Sequence, residues 1–121
     1  MTREKLRGFN RLVRACGATR MGLAAAWREE AAFRQELVVV ALAAPLALWL
    51  GRTGVERALL VAPLLLVLIV ELLNSGIEAA IDRIGPERHE LAGLAKDLGS
   101  AAVFLSLLAC AVTWALVLLN H

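Results

Sequence analysis

The stretch ALLVAPLLLVLIVELLNSGIEAAIDR, residues 58–83, decides how this chain is read. Residues 58–70 are wholly apolar, and they run without a turn signal into Glu71, Asn74, Ser75, Glu78 and Asp82. Offsets of 3, 7 and 11 residues from Glu71 set Asn74, Glu78 and Asp82 along one stripe of an α-helix. An ionisable group near the bilayer core costs about 2.5–3.5 kcal/mol on insertion scales, so such groups mark function. Carboxylates and an amide on one face, beside a membrane boundary, form a place to hold a cation. The competing reading is a helix end emerging into water, its carboxylates solvated on an outer face.

Composition supports the membrane setting. The 121 residues are 60% hydrophobic with a mean hydropathy of +0.69, above the usual range for a soluble domain. One domain, residues 1–121, is expected. The net charge of +2 gives no ground for a nucleic-acid partner. Cys16 and Cys110 match no metal-ligand spacing and read as packing residues. The basic N-terminus has no long apolar core or cleavage site, so it does not read as a secretory signal.

Three apolar spans follow a basic start. Residues 37–50 and 58–70 are each too short to cross alone, since about 20 residues are needed. The first must borrow Ala31, Ala32 and Phe33, which puts Arg34, Gln35 and Glu36 at the interface or in a protein-lined cavity. The second must extend through Leu72, Leu73 and Ile77, and the third, residues 98–119, is long enough alone. The expected architecture is an all-α integral membrane protein with a surface helix at 1–28 and transmembrane helices at 29–51, 56–84 and 91–120. Leu6, Phe9, Val13 and Cys16 oppose Arg7, Arg11 and Arg14, as in a helix lying in an anionic headgroup layer. Gly17 and Gly22 allow a bend, with the next helix beginning near Thr19 or Leu23. Pro45 and Pro63 predict local kinks, not boundaries. Trp27, Trp49 and Trp114 suit interfacial belts.

Basic residues concentrate before the first span (Arg3, Lys5, Arg7, Arg11, Arg14, Arg20, Arg28, Arg34) and again in the second loop (Arg83, Arg88, Lys96). The first loop has only Arg52 and Arg57. The positive-inside rule then places the N-terminus and the second loop in the cytoplasm, with Glu30, Glu71 and Glu78 toward that side. This is the side that holds ATP.

Glu30 and Arg34 can pair along a helix, or Glu30 can approach Glu78 from a neighbouring one. Two carboxylates meeting across an interface repel unless a divalent cation lies between them. Mg²⁺ is held in this way, by one or two carboxylates plus substrate phosphates. Glu71 lies two turns from Glu78, about 10.5 Å deeper, where a carboxylate suits general-base work on an alcohol at the membrane surface. Phosphoryl transfer needs a metal on the phosphates, an in-line hydroxyl and charge compensation, which Lys96 can supply. No P-loop or protein-kinase signature is present.

Three blocks of the chain resemble a known family. AAWREEAAFRQE at residues 25–36, ELLNSGIEAAIDR at 71–83, and HEL at 89–91 followed by AKDLGSAAV at 95–103 are similar to the signatures of prokaryotic diacylglycerol kinases. The likeness runs from about Phe9 to the end. It implies a homotrimeric bundle in the bacterial inner membrane with sites composed between protomers, moving the γ-phosphoryl of MgATP to diacylglycerol. On that resemblance Glu71 is the base, Asn74 supports the centre, and Glu30 and Glu78 ligate Mg²⁺. Arg11, Ala18, Glu87, Arg88, His89, Lys96 and Asp97, with the two metal ligands, fall where the family binds ATP. Arg11, Ala24, Ala25, Ala26, Trp27, Ala32, Phe33, Arg34, Gln35, Glu36, Trp49, Arg57, Glu71 and Ser100 fall on its lipid-binding surface. Ala18 stands in place of a tyrosine, Ala24 of an arginine, Glu29 of an asparagine and Arg88 of an aromatic residue, all at the nucleotide or lipid periphery.

Two rivals remain at this point. The family's shorter relatives phosphorylate undecaprenol, and the motif blocks are shared; the long basic N-terminal helix favours diacylglycerol. A small multidrug-type transporter has similar length and an intramembrane glutamate, but usually four spans with that glutamate in the first. A covering protomer is expected as well, because three thin helices cannot enclose Glu71 and Asn74 from lipid.

Overall fold

The computed structural model describes residues 2–85 and 90–120. Four α-helices follow in order: α1 (Arg3–Glu29), α2 (Ala31–Leu50), α3 (Gly54–Ile84) and α4 (Glu90–Leu119). By length and composition α2, α3 and α4 are each able to cross a membrane. Glu87, Arg88 and His89 lie outside the described residues.

α1 corrects one expectation. It is continuous through Gly17 and Gly22, and the bend comes later, at Glu30, whose backbone is extended at φ −114° and ψ 104°. An isolated glycine costs a helix only about 1 kcal/mol relative to alanine. The alanines, arginines, methionine and leucine around both glycines are strong helix formers, and the helix carries through. Thr2 caps its start, accepting from the Lys5 N–H at 3.4 Å. Arg34 closes its end: Nη1 donates to the carbonyls of Trp27 at 2.8 Å and Arg28 at 3.1 Å. These are two of the four carbonyls that a helix leaves unpaired, and the end of the helix dipole favours a cation there. Arg34 is thus committed to the hinge backbone and not to the Glu30 carboxylate.

The turn from α2 to α3 is fastened as tightly. Thr53 caps α3 by accepting from the Glu56 N–H at 3.1 Å, while the Glu56 carboxylate accepts from the Arg52 N–H at 3.2 Å. Arg57 donates from Nε to the Leu48 carbonyl at 3.0 Å, closing the end of α2. Gly51 is required for this approach, because a Cβ there would lie 2.5 Å from Cγ of Arg57 and 3.0 Å from its backbone nitrogen. α3 ends at Gly85, whose φ of +142° disfavours a side chain.

α3 is the central helix, packed between α2 and α4. Its buried residues Leu60, Leu64, Val67 and Glu71 recur at alternating steps of four and three, the period of a left-handed coiled seam. α4 answers with Gly99, Val103, Ser106 and Cys110 at the same alternation, small residues that let the two backbones approach. Phe33, Val40 and Ala47 of α2 complete the core. Both prolines sit inside unbroken helices. Pro63 has no N–H for the ladder, which leaves the Leu59 carbonyl without its helical donor. One residue on, Trp114 donates from Nε1 to the Leu60 carbonyl at 2.9 Å. Trp114 is therefore a tie between α4 and α3, whereas Trp27 and Trp49 are the exposed pair.

Removing that tie tests the packing. Trp114→Phe keeps an aromatic ring but leaves the Leu60 carbonyl without its donor, and should destabilise the bundle by about 0.5–1.5 kcal/mol. A detergent unfolding titration reads this as an earlier midpoint.

Candidate active site

The seam of α3 does not stop where the apolar run stops. Continuing the alternation past Val67 gives Glu71, Asn74 and Glu78, so the polar stripe is the prolongation of the core and not an outer face. Glu71 is 5% exposed. Asn74 and Glu78 are half-buried, and the Asn74 amide donates from Nδ2 to Oε1 of Glu78 at 3.4 Å. Asp82, one turn further on, is exposed and pairs with Lys96 of α4 at 3.1 Å. Along the stripe Glu71 is buried, Asn74 and Glu78 are half-buried and Asp82 is exposed, whereas carboxylates merely solvated at a helix end would be exposed from Glu71 onward.

The cover over Glu71 corrects a second expectation. Glu71 is buried within one chain, so burial of this carboxylate needs no second protomer. Asn74 and Glu78, half-buried, are what one chain leaves incompletely screened.

Other carboxylates gather on the same end of the bundle. Glu30 at the hinge and Glu78 on α3 are both close enough to act electrostatically on Glu71. Glu36 interacts with Glu71 as well, and its Oε2 is buried without a hydrogen-bond partner among the described residues. Glu30, Glu36 and Glu78 each act on Glu71, and like charges so placed repel one another, which a nearby cation would relieve. Among the described residues no three His, Cys, Asp or Glu side chains form a closed metal cage. A pair of carboxylates is a donor set that Mg²⁺ can use, since it takes one or two and completes its shell with phosphate oxygens and water.

Two spaces flank this cluster. A cleft of about 480 Å³ opens between α1 and α3, walled by Thr19, Gly22, Ala26, Glu29 and Glu30 on one side and by Leu72, Ser75, Gly76 and Ala79 on the other. It has the size of a small-molecule site, with carboxylates at its rim. A narrower apolar crevice of about 200 Å³ runs between α2, α3 and α4, with Gln35 and Glu36 beside Val40, Leu64, Val67 and Cys110.

The residues singled out in the sequence divide accordingly. Glu30, Glu71, Asn74 and Glu78 come together, and Ala25 and Ala26 line the cleft beside them. Lys96 is held near this end by Asp82, with Asp97 and Ser100 exposed on the same stretch of α4. Arg11, Ala18, Ala24 and Ala32 are exposed, as is Gln35, the crevice residue beside Glu36. Phe33, grouped with the lipid surface, is buried in the core at 1% exposure. Trp49 and Arg57 lie at the opposite end of the bundle, Arg57 about 21 Å along α3 from Glu71 at 1.5 Å per residue.

Sequence reasoning underrated two residues. Glu36 belongs with Glu71, and the signal was its place between Phe33 and Val40 on the buried face of α2. Gly99 is buried against Asn74. No periodicity singles out one glycine among the nine of the chain.

The family model described as prokaryotic diacylglycerol kinase matches residues 17–118. The diacylglycerol kinase of Escherichia coli K12 is 52% identical over 114 residues, covering 94% of this chain and 93% of its own. That of Pseudomonas aeruginosa is 50% identical over 113 residues, covering 93% and 92%, and that of Haemophilus influenzae 43% identical over 110, covering 91% and 93%. With half its residues shared across nearly its whole length, the chain belongs to the prokaryotic diacylglycerol kinase family.

Proposed function

We infer that the carboxylate end of the α3 seam is the catalytic centre of an ATP-dependent diacylglycerol kinase, producing phosphatidic acid. The observation that carries this is Glu71: a buried carboxylate, ringed by others, at the end of an apolar helix stretch. The acceptor's acyl chains stay in lipid or in the crevice beside Glu36, while its free hydroxyl comes to Glu71 at the membrane boundary. Glu71 accepts the hydroxyl proton as the oxygen attacks the γ-phosphorus. The new oxygen–phosphorus bond forms as the bond to the bridging oxygen of ADP breaks, and ADP leaves with that electron pair.

Glu30 and Glu78 are the residues that would hold Mg²⁺, and the ion when bound screens the phosphate charge. Glu30 stands on the hinge, so the extended backbone that ends α1 also turns its carboxylate toward α3. Asn74 bridges toward Glu78 and fixes where that ligand points. Lys96 stands at the same end, with its ammonium on Asp82, and supplies positive charge beside the α- and β-phosphates. The second loop, with Glu87, Arg88 and His89, and the exposed Arg11 face complete the nucleotide's surroundings, the periphery where Ala18 brings no aromatic ring.

The basic N-terminus and second loop favour a cytoplasmic placement of this end, in the inner membrane, where MgATP is available. A homotrimer matches the family resemblance, and it gives the incompletely screened Asn74 and Glu78 a neighbour. It also offers a way to bring Trp49 and Arg57, remote within one chain, near another protomer. Cross-linking of the purified protein in mild detergent is expected to trap a trimer; a ladder ending at monomer overturns this assembly.

Phosphorylation in mixed micelles, with diacylglycerol and undecaprenol as parallel acceptors, tests the reaction. The wild type is expected to form phosphatidic acid, and product from undecaprenol alone would change the acceptor while leaving the mechanism. Glu71→Gln should lower turnover by 10²-fold or more, the usual scale of a general base, while retaining MgATP binding. Turnover within a few fold of wild type would remove Glu71 as the base.

The metal ligands give a separate readout. Glu78→Gln or Glu30→Gln should raise the Mg²⁺ concentration needed for half-maximal rate by about tenfold or more, the scale of losing one ligand contact. An unchanged Mg²⁺ titration would take the residue out of the ligand set.

A further inference from the structure

At one level of the seam the two backbones are separated by a single side chain. Gly99 of α4 is buried, and the place a Cβ would take there is already filled by Oδ1 of Asn74. That oxygen is shielded from water and has no hydrogen-bond partner among the described residues. The other end of the same carboxamide donates to Oε1 of Glu78. The amide is thus wedged, its oxygen against the α4 backbone and its nitrogen on the carboxylate. A helical side chain has few χ1 rotamers, and here α4 closes one side of the space that rotation needs.

We propose that Gly99 is a positioning residue for the metal-binding carboxylate: by lacking a side chain it lets Asn74 lie flat against α4 and so holds Glu78 in its ligating orientation. The proposal rests on the reading of Glu78 as a Mg²⁺ ligand. It differs from a plain packing role, in which any added atom forces α3 and α4 apart whatever stands at position 74. The seam is independently fixed on both sides of this level. Trp114 ties it to Leu60 at one end, and Lys96 to Asp82 at the other. Local displacement of the Asn74 amide is therefore easier than separation of the helices. α4 also carries a control, since a Cβ at Gly93 meets nothing within 4 Å.

The test is a double-substitution cycle read in two ways on the purified protein in detergent: Mg²⁺-dependent rate, and equilibrium binding of Mn²⁺ with ATP, which needs no turnover. Gly99→Ala is expected to weaken metal binding by about tenfold, within the coupling seen between residues in contact, while Gly93→Ala stays at the wild-type value. In the Asn74→Ala background, where the amide is gone, Gly99→Ala should add no further loss. An equal loss in both backgrounds, or none with Asn74 present, overturns the proposal. If Gly99→Ala alone does not fold, folding of Asn74→Ala/Gly99→Ala supports the wedge. Failure of both while Asn74→Ala folds assigns Gly99 to packing instead. Glu78→Gln run alongside separates the two layers. Unchanged metal binding in that variant overturns the ligand reading and with it the role of Gly99. A weakened Glu78→Gln with an additive cycle overturns the role of Gly99 alone.

Discussion

Burial of Glu71 on the helix seam is the constraint on which the rest of the structure turns. A carboxylate within an apolar bundle has lost most of its hydration, and that loss is tolerated only where neighbours or ligands replace it. α3 meets the demand by changing the chemistry of its seam without changing its period. Leu60, Leu64 and Val67 bury apolar surface, and the next positions in the same rhythm are Glu71, Asn74 and Glu78. The helix needs no special geometry to aim these groups, because the packing that holds its apolar half aims them. The polar groups stand on the central helix, and a cleft opens beside them against α1.

The hinge at Glu30 follows from the same demand. Leaving a helix exposes backbone carbonyls, and next to lipid those must find donors. Arg34 provides two hydrogen bonds from within the first turn of α2, so its charge is used at the end of α1 and is kept from the carboxylate beside it. Had Arg34 paired with Glu30, the carboxylate would be neutralised internally. The guanidinium closes the break, and the carboxylate that stands in the break stays free to face α3.

Much of this was legible in the sequence, for definite reasons. Span number, the polar stripe and the family blocks all depend on local periodicity, and α3 carries both signals in one helix. What escaped depends on a neighbour. The break at Glu30, in place of Gly17 or Gly22, is decided by an arginine reaching back across the hinge, which propensity does not register. Trp114 has the composition of an interfacial anchor and becomes a tie because α4 brings its indole N–H to the Leu60 carbonyl. Phe33 sits among residues of the lipid-facing signature, yet its phase on α2 points it into the core. Glu36 shares that phase, and a reading by face would have joined it to Glu71.

The distribution of small residues along α4 carries the last step. Gly99 and Ser106 are its buried positions, and they stand opposite different halves of α3. Ser106 satisfies its own hydroxyl by donating to the Val103 carbonyl at 2.7 Å, so toward α3 it behaves as a small apolar surface. Gly99 faces the polar half, where any side chain would have to share space with the Asn74 amide. Close packing at the apolar level needs only small volume, which serine supplies. At the polar level it needs the absence of a Cβ. The difference between the two positions follows from what α3 presents to each, and it marks the level at which the seam changes from a packing surface to a chemical one.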